Sequence, residues 1–325
     1  MTAAAGQGRA EEFESLRPLL FSIAYRLLGS VAEAEDAVQE TWVRWQASDA
    51  RPVSVRAFLS AVVTRVSIDV LRSARVRREE YVGPWFPEPL LEDPYQDPER
   101  SAELADSVSM AALLLLERLS PVERAVFVLR EVFGFGFAEI SSAVRRSEPA
   151  CRQLAVRARQ HMSAGRPRFA SDSREQAELA RRFLDALRDG DVGRLRELLA
   201  ADVQLSADTG GKAPKLGERV AGADKVARVL GGFFPHFVRI GGVLEPRLVN
   251  GQPGAVVRDR AGRVAGTITF DVLDGQVQLI RTVLNPDKLR HMGPPGDAWA
   301  ALHETTRARR AARPGREQDG GAEPR

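Results

Sequence analysis

Ten residues at positions 81–90, YVGPWFPEPL, constrain the architecture more than any other stretch of the chain. They hold three prolines, one glycine and three aromatics. Proline lacks an amide hydrogen and fixes φ, so the stretch cannot lie inside a helix or a central strand. A linker that needed only flexibility would have no use for Tyr81, Trp85 and Phe86. The segment is stiff and sticky, and it separates two strongly helical regions.

Upstream, Phe13, Leu16, Leu19, Leu20, Ile23, Leu27 and Leu28 recur at helical spacing. Gly29 suits the position after a helix and Ser30 the N-cap of the next. Ala34, Val38, Trp42 and Trp45 carry that second helix, and Ser54 caps a third that runs to about residue 80. Residues 11–80 therefore read as a three-helix domain. Five prolines make residues 81–100 a semi-rigid spacer. Residues 101–164 read as a second helical unit. SVSMAALLLLERL forms one helix, Ser120 and Glu123 form a capping box around Pro121, and FAEISSAV is a short helix. The turn RRSEP leads into a last helix capped by Ser147.

After residue 164 the character changes. AELARRFLDALRDGDVGRLRELL is a helical pair, and beyond Asp202 short β-rich runs alternate with Asn250-Gly251, Ala261-Gly262 and Asp274-Gly275. Such pairs mark hairpins, so residues 172–292 are expected to form an α+β domain with a curved antiparallel sheet. Residues 293–325 are rich in Pro, Gly and Arg and are expected to be a disordered tail. Five arginines and no acid in residues 307–316 suit either non-specific DNA affinity or solubility.

One cysteine, Cys151, excludes a disulfide framework and fits a reducing cytoplasm. With four scattered histidines, no metal site or cofactor is expected. The sequence shows neither a membrane span nor a signal peptide. Net charge is only +3, but it is segregated. VAEAEDAVQE (31–40) has four acids and no base, RSARVRR (72–78) four arginines and no acid, and RQLAVRAR (152–159) three arginines and no acid. Such segregation is expected if one face meets a polyanion and another meets a basic partner.

The strongest local pattern is FAEISSAVRRSEPACRQLAVRARQHM, which fits a helix–turn–helix. Its second helix would enter the major groove. Arg152 and Gln153 are placed to read guanine and adenine, Arg157 and Arg159 suit base or phosphate contacts, and Val156 is partly exposed. The competing reading is an ordinary amphipathic helix with solvated arginines.

These features together resemble the bacterial extracytoplasmic-function (ECF) sigma factors. The resemblance rests on AEDAVQETWVRW and AFLSAVVTRVSIDVLRS in the first domain. In the second it rests on LSPVERAVFVLREVFGFGFAEIS and SEPACRQLAVRAR. YVGPWFPEPL and NPDKL (285–289) resemble the subgroup with a fused C-terminal SnoaL-like domain. The resemblance implies a sigma-2 domain, a sigma-4 domain and a regulatory cone. Glu33, Glu35, Asp36, Gln39 and Glu40 would dock on the β′ clamp helices of RNA polymerase core, which also engages the factor through its β subunit. Thr64, Arg65, Arg72 and Arg75 would engage the promoter −10 element. Arg152, Gln153, Val156, Arg157 and Arg159 would read the −35 element. Tyr81, Trp85 and Phe86 would dock on the fused domain, near Asn285, Pro286, Asp287, Lys288 and Leu289. No separate anti-sigma protein and no membrane partner are implied.

A ligand-sensing or cyclase-like reading of the cone stays open, with Asp202, Asp208, His236 and Asp271 as candidate pocket polar groups for an unidentified small ligand. Turn and cap duties equally explain Asp202 and Asp208, and His236 suits a half-buried structural role. The chain as a whole is read as a non-enzyme. The subgroup's DGGGK stretch is here DTGGK (208–212), with Thr209 in place of a glycine.

Overall fold

A computed structural model describes residues 2–165, 173–215 and 219–312. The first module is α1 (Thr2–Leu28), α2 (Val31–Gln46) and α3 (Val55–Glu79). Gly29 takes φ 68°, a left-handed turn that ends α1. Ser30 then caps α2 by accepting the Glu33 amide at 3.2 Å, and Ser54 caps α3 by accepting the Ala57 amide at 3.2 Å. Phe13, Ile23 and Leu27 of α1 pack with Val38 and Trp45 of α2 and Leu59 and Val66 of α3.

The second module comprises α4 (Ser101–Val108), α5 (Met110–Leu116), α6 (Pro121–Phe127), a π-helical segment (Val128–Val132), α7 (Phe137–Val144) and α8 (Glu148–Gly165). The expected single helix over SVSMAALLLLERL is broken at Ser109, whose ψ of 147° is extended and whose hydroxyl caps Ala112. The break frees the Val108 carbonyl and the Met110 amide, and both are taken up by side chains of the third domain, Asn250 and Gln252. The capping box at Ser120 and Glu123 forms. Arg145, at φ 54°, makes the turn between α7 and α8.

The third domain begins with α9 (Ser173–Asp189) and α10 (Val192–Leu198). It continues through β1 (Leu199–Asp208), β2 (Arg219–Ala221), α11 (Ala223–Gly231), α12 (Phe234–Arg239), β3 (Val243–Val249), β4 (Gln252–Arg258), β5 (Val264–Leu273) and β6 (Gln276–Val283). A 3₁₀ turn over Pro286–Lys288 follows, then α13 (Ala298–Ala311). Strand order among the described residues is β2-β1-β6-β5-β4-β3. β3 to β6 form the expected antiparallel meander, with Asn250-Gly251 and Asp274-Gly275 both at positive φ in their turns. The sheet is nevertheless mixed, because β1 pairs with β6 in parallel. The helices between them return the chain to the same end of the sheet, an arrangement that hairpin turns cannot announce.

The tail expectation also changes. Residues 298–311 are a helix capped by Asp297, which accepts the Ala300 amide at 3.0 Å. Residues 313–325 lie outside the described residues.

One face of the sheet holds the domain's own core, with Phe183, Val226 and Phe237 from the helices against Ile268, Phe270 and Ile280 from the strands. On the other, Val256, Val264 and Val283 pack with Phe86 of the linker and Met110 of the second module. β5 is thus buried almost end to end.

The two helical modules share one core. α3 packs against α1 and α2 and also against α6 and α7. Residues 59–64 are all buried in consequence, as in a helix covered on every side. Two buried arginines tie the modules. Arg124 donates to the Leu27 carbonyl at 2.6 Å and pairs with Glu117 at 2.8 Å. Arg26 pairs with Asp93 at 2.8 Å and donates to the Leu104 carbonyl at 2.9 Å and the Ser107 hydroxyl at 2.7 Å. Removing one partner of such a buried pair typically costs about 3–5 kcal/mol. Arg26→Ala is therefore expected to lower unfolding stability by that amount in denaturant titration, and a loss under about 1 kcal/mol, the scale of a surface pair, would contradict the assigned role.

Candidate functional site: a linker clamp and two recognition faces

The proline segment is pinned along its length. Its centre is Asp208, the last residue of β1 and fully buried. One carboxylate oxygen accepts the Tyr81 hydroxyl at 2.5 Å. The other accepts the Phe86 amide at 2.7 Å and pairs with Lys288 Nζ at 2.7 Å. Lys288 also donates to the Phe86 carbonyl, so both backbone groups of Phe86 are held by one ion pair. Its ammonium lies 4.7 Å from the Tyr81 ring centroid and 4.3 Å from that of Trp85. Burial, then the Asp208 carboxylate, push the Tyr81 phenol above its ordinary range, so it stays a neutral donor.

NPDKL is shaped for this task. Asn285 caps the 3₁₀ turn by accepting the Asp287 amide at 3.1 Å and donates to the Tyr81 hydroxyl at 2.8 Å. Pro286 occupies the first position of that turn, where no amide donor is needed. The turn then carries Lys288 inward, and Leu289 is buried beside Phe86. Asp287 faces outward between Lys212 and Arg290, and its carboxyl is held below the ordinary range chiefly by the Lys212 hydrogen bond.

The DTGGK loop wraps the other side. Gly210 and Gly211 sit at φ 54° and 71°. A Cβ on Gly210 would overlap the Asn285 amide and lie 2.9 Å from the Tyr81 hydroxyl, and one on Gly211 would meet Val82. Thr209 does not have a positive φ, is buried, and accepts the Gly211 amide through its own hydroxyl at 3.3 Å. The substituted position is thus one that tolerates a side chain, while the two glycines that need their freedom are kept.

Further along, the linker docks on all three domains. Glu88 accepts the Ser30 hydroxyl at 2.8 Å and the Val31 amide at 2.7 Å, a carboxylate at the N-terminus of α2. Fully buried Asn250 accepts the Leu90 amide at 3.1 Å and gives its own amide to the Leu90 carbonyl at 2.6 Å. Its side chain also donates to Tyr25 of α1 at 2.7 Å and to the Val108 carbonyl at 3.1 Å. His291 meets the Pro89 carbonyl at 2.6 Å. Asn250, Tyr25, Glu88 and Gln252 escape a sequence reading. Asn250-Gly251 announces only a turn, and nothing local marks the partners 142 to 225 residues away.

The residues expected to contact nucleic acid lie on two helices. On α8, Arg152, Gln153, Val156, Arg157 and Arg159 are all exposed, while Cys151 and Ala155 face the core. Arg152 pairs with Glu148 and Arg159 with Glu131, each at 2.8 Å on the surface. On α3 the picture is different. Thr64 is fully buried with its hydroxyl on the Ser60 carbonyl at 2.7 Å, so it faces the core and not a ligand, contrary to the expectation for it. Arg65 is half-buried and donates to the Ala61 carbonyl at 2.9 Å, with burial and nearby Arg145 and Arg44 depressing its pKa. Arg72 is exposed beside Asp69, and the Arg75 side chain lies outside the described residues. On α2, Glu35, Asp36, Gln39 and Glu40 are exposed and Glu33 is half-exposed. Glu35 pairs with Arg17, and Glu40 with Arg44.

The four polar groups expected to share a pocket do not meet. Asp208 serves the clamp, Asp202 is exposed on β1, and Asp271 is buried against Arg281 at 2.7 Å. His236 lies half-buried on α12, with burial lowering its pKa. None of them lines the cone's cavity.

The clamp geometry gives a paired expectation. Gly210→Ala strains a left-handed residue and displaces Asn285, so hydrogen exchange at the Phe86 amide is expected to accelerate by about tenfold or more, as for a loss near 1.4 kcal/mol. Thr209→Gly should leave that amide's exchange within a few tenths of a kcal/mol of the parent. Equal exchange in the Gly210→Ala protein would contradict the clamp.

Comparison with known proteins places these features. Residues 13–77 match sigma-70 region 2, and residues 109–162 match sigma-70 region 4. The ECF RNA polymerase sigma factor SigJ of Mycobacterium tuberculosis is 40% identical over 287 residues, spanning 85% of this chain and 92% of the relative. The probable ECF sigma factor SigI of the same species is 31% identical over 276 residues, spanning 84% and 92%. The crystal structure of M. tuberculosis SigJ superposes with a TM-score of 0.66 at 36% identity, covering 86% of this chain and 98% of that one. With two sigma-70 regions in order and a relative matched along nearly its full length, this chain belongs to the extracytoplasmic-function RNA polymerase sigma factors.

Proposed function

We propose that this sigma factor is held closed by its own C-terminal domain, through the linker, until polymerase or a signal releases it. The observation that carries the reading is the burial of α3. The helix that must engage the −10 element is covered on one side by α6 and α7 of the second module. A factor that reads −10 and −35 elements together must separate those modules. The Asp208–Lys288 clamp and the Asn250 contacts fix the chain that joins them.

In the open state the acidic face of α2 (Glu33, Glu35, Asp36, Gln39, Glu40) docks on the β′ clamp helices, and the second module meets the β subunit. Arg65, Arg72 and Arg75 hold the −10 strand backbone, where stacking and phosphate contacts stabilise opened DNA. Arg152, Gln153 and Arg157 read the −35 duplex, with Arg159 and Val156 beside them. Phosphate contacts set a salt-dependent affinity and base contacts set the choice of site. A covalently attached brake removes the need for a separate anti-sigma protein. The chain works where polymerase and promoter DNA are, in the cytoplasm. A regulatory rather than catalytic role for the cone is supported by the dispersal of its acids and His236 away from the cavity.

In-vitro transcription with core polymerase tests this. Asp208→Ala should raise initiation by about tenfold for each 1.4 kcal/mol lost from the closed state. Arg152→Ala should reduce discrimination at its −35 base by about 1–3 kcal/mol without weakening core binding. Unchanged initiation by the Asp208→Ala factor would overturn the brake.

A further inference from the structure

Between its sheet and its helices the C-terminal domain keeps a cavity of about 100 Å³, partly open to solvent. Its wall is almost wholly apolar. Phe233 and Phe237 stand on the helical side and Ile268 on the sheet, and Thr282 is the one polar residue among the fifteen that line it. No charged group faces the space among the described residues, so a carboxylate or ammonium would lose its water and gain no partner.

One side of the cavity is formed by α13. Ala298, Ala301 and Leu302 line the cavity, two of them too small to fill it. The approach to this helix is pinned to β5. The Val264 amide donates to the Pro294 carbonyl at 3.0 Å, and the Gly296 amide to the Val264 carbonyl at 2.7 Å. Farther along, Glu304 pairs with Arg260 at 3.3 Å. A wall of this kind favours a neutral apolar molecule over a charged one.

The wall also touches the clamp. Leu284 lines the cavity, and its amide donates to the Asp208 carbonyl at 2.8 Å. The next residue, Asn285, donates its amide to the same carbonyl at 3.1 Å. Leu284 packs against β5 so closely that a Cβ on Gly266 would lie 2.6 Å from its Cδ2. Any displacement of Leu284 by an occupant is therefore passed to the residue whose carboxylate holds Tyr81 and Phe86.

We propose that this cavity is a binding site for a neutral, lipophilic small molecule held beneath α13, and that its occupancy is transmitted through Leu284 and Asp208 to the linker. The second half rests on the linker-brake reading above; the first does not.

The test uses the full chain and the neutral fluorescent probe N-phenyl-1-naphthylamine. Saturable binding with one site per chain is expected. The negatively charged 1-naphthoate should bind about tenfold more weakly or worse. Ala301→Trp takes up space in the cavity and should weaken probe binding by about tenfold or more while leaving the melting temperature and helical circular dichroism unchanged. Ala298→Trp serves the same purpose if the first variant does not fold. At saturation the probe should change exchange at the Phe86 amide by about threefold or more in the parent and not in the Trp variant. Absence of saturable binding, equal binding of the two naphthalenes, or binding undiminished in both Trp variants overturns the site. Normal binding with unchanged Phe86 exchange overturns the coupling. If the probe binds as expected but Asp208→Ala leaves initiation unaltered, the brake fails and the site stands.

Discussion

A single buried carboxylate organises this molecule. Asp208 has a phenol, a backbone amide and an ammonium around it, and each comes from a segment that must be docked for the charge to be satisfied. Burying an ion pair is costly, and it is retained only where geometry and further hydrogen bonds offset the lost hydration. Here the offset comes from the linker itself. Undocking the linker strips Asp208 of Tyr81 and Phe86 together, and it strips Lys288 of the Phe86 carbonyl. The linker's two contacts to Asp208 are therefore lost together, while the Asp208–Lys288 pair stays within the C-terminal domain.

Closure has an asymmetric consequence. The outward face of α8 remains open to solvent, whereas residues 59–64 of α3 are enclosed by both helical modules. The apolar seam that encloses them is continuous with the core of the first module, so opening must expose apolar surface unless polymerase or DNA covers it at the same time. Only a partner that supplies replacement contacts can hold the modules apart.

Much of this was legible in the residues. Gly29, Ser30, Ser54 and the Ser120–Glu123 box mark helix ends through short-range chemistry, and the structure uses each of them so. Asn250-Gly251 and Asp274-Gly275 mark hairpins for the same reason. Where the reading failed, a distant partner decided. Ser109 breaks a helix because two side chains of another domain need the freed backbone groups. Thr64 looked polar and available, but it sits where α3 has no outer face. The parallel pairing of β1 follows from how the helices between it and β6 return the chain. α13 was hidden by its Pro, Gly and Arg neighbours, although Asp297 three residues before Ala300 is an ordinary N-cap signature that could have revealed it.

The central claim is that the free factor is closed and that the clamp closes it. Spin labels at the exposed positions Glu12 on α1 and Gln160 on α8 report the separation of the two recognition modules by double electron–electron resonance. The account predicts one narrow, short distance in the free full-length protein. It predicts a longer distance when core polymerase is added, and a broadened one when Asp208 is replaced by Ala. A broad distribution in the free protein, the same with and without Asp208, would contradict it.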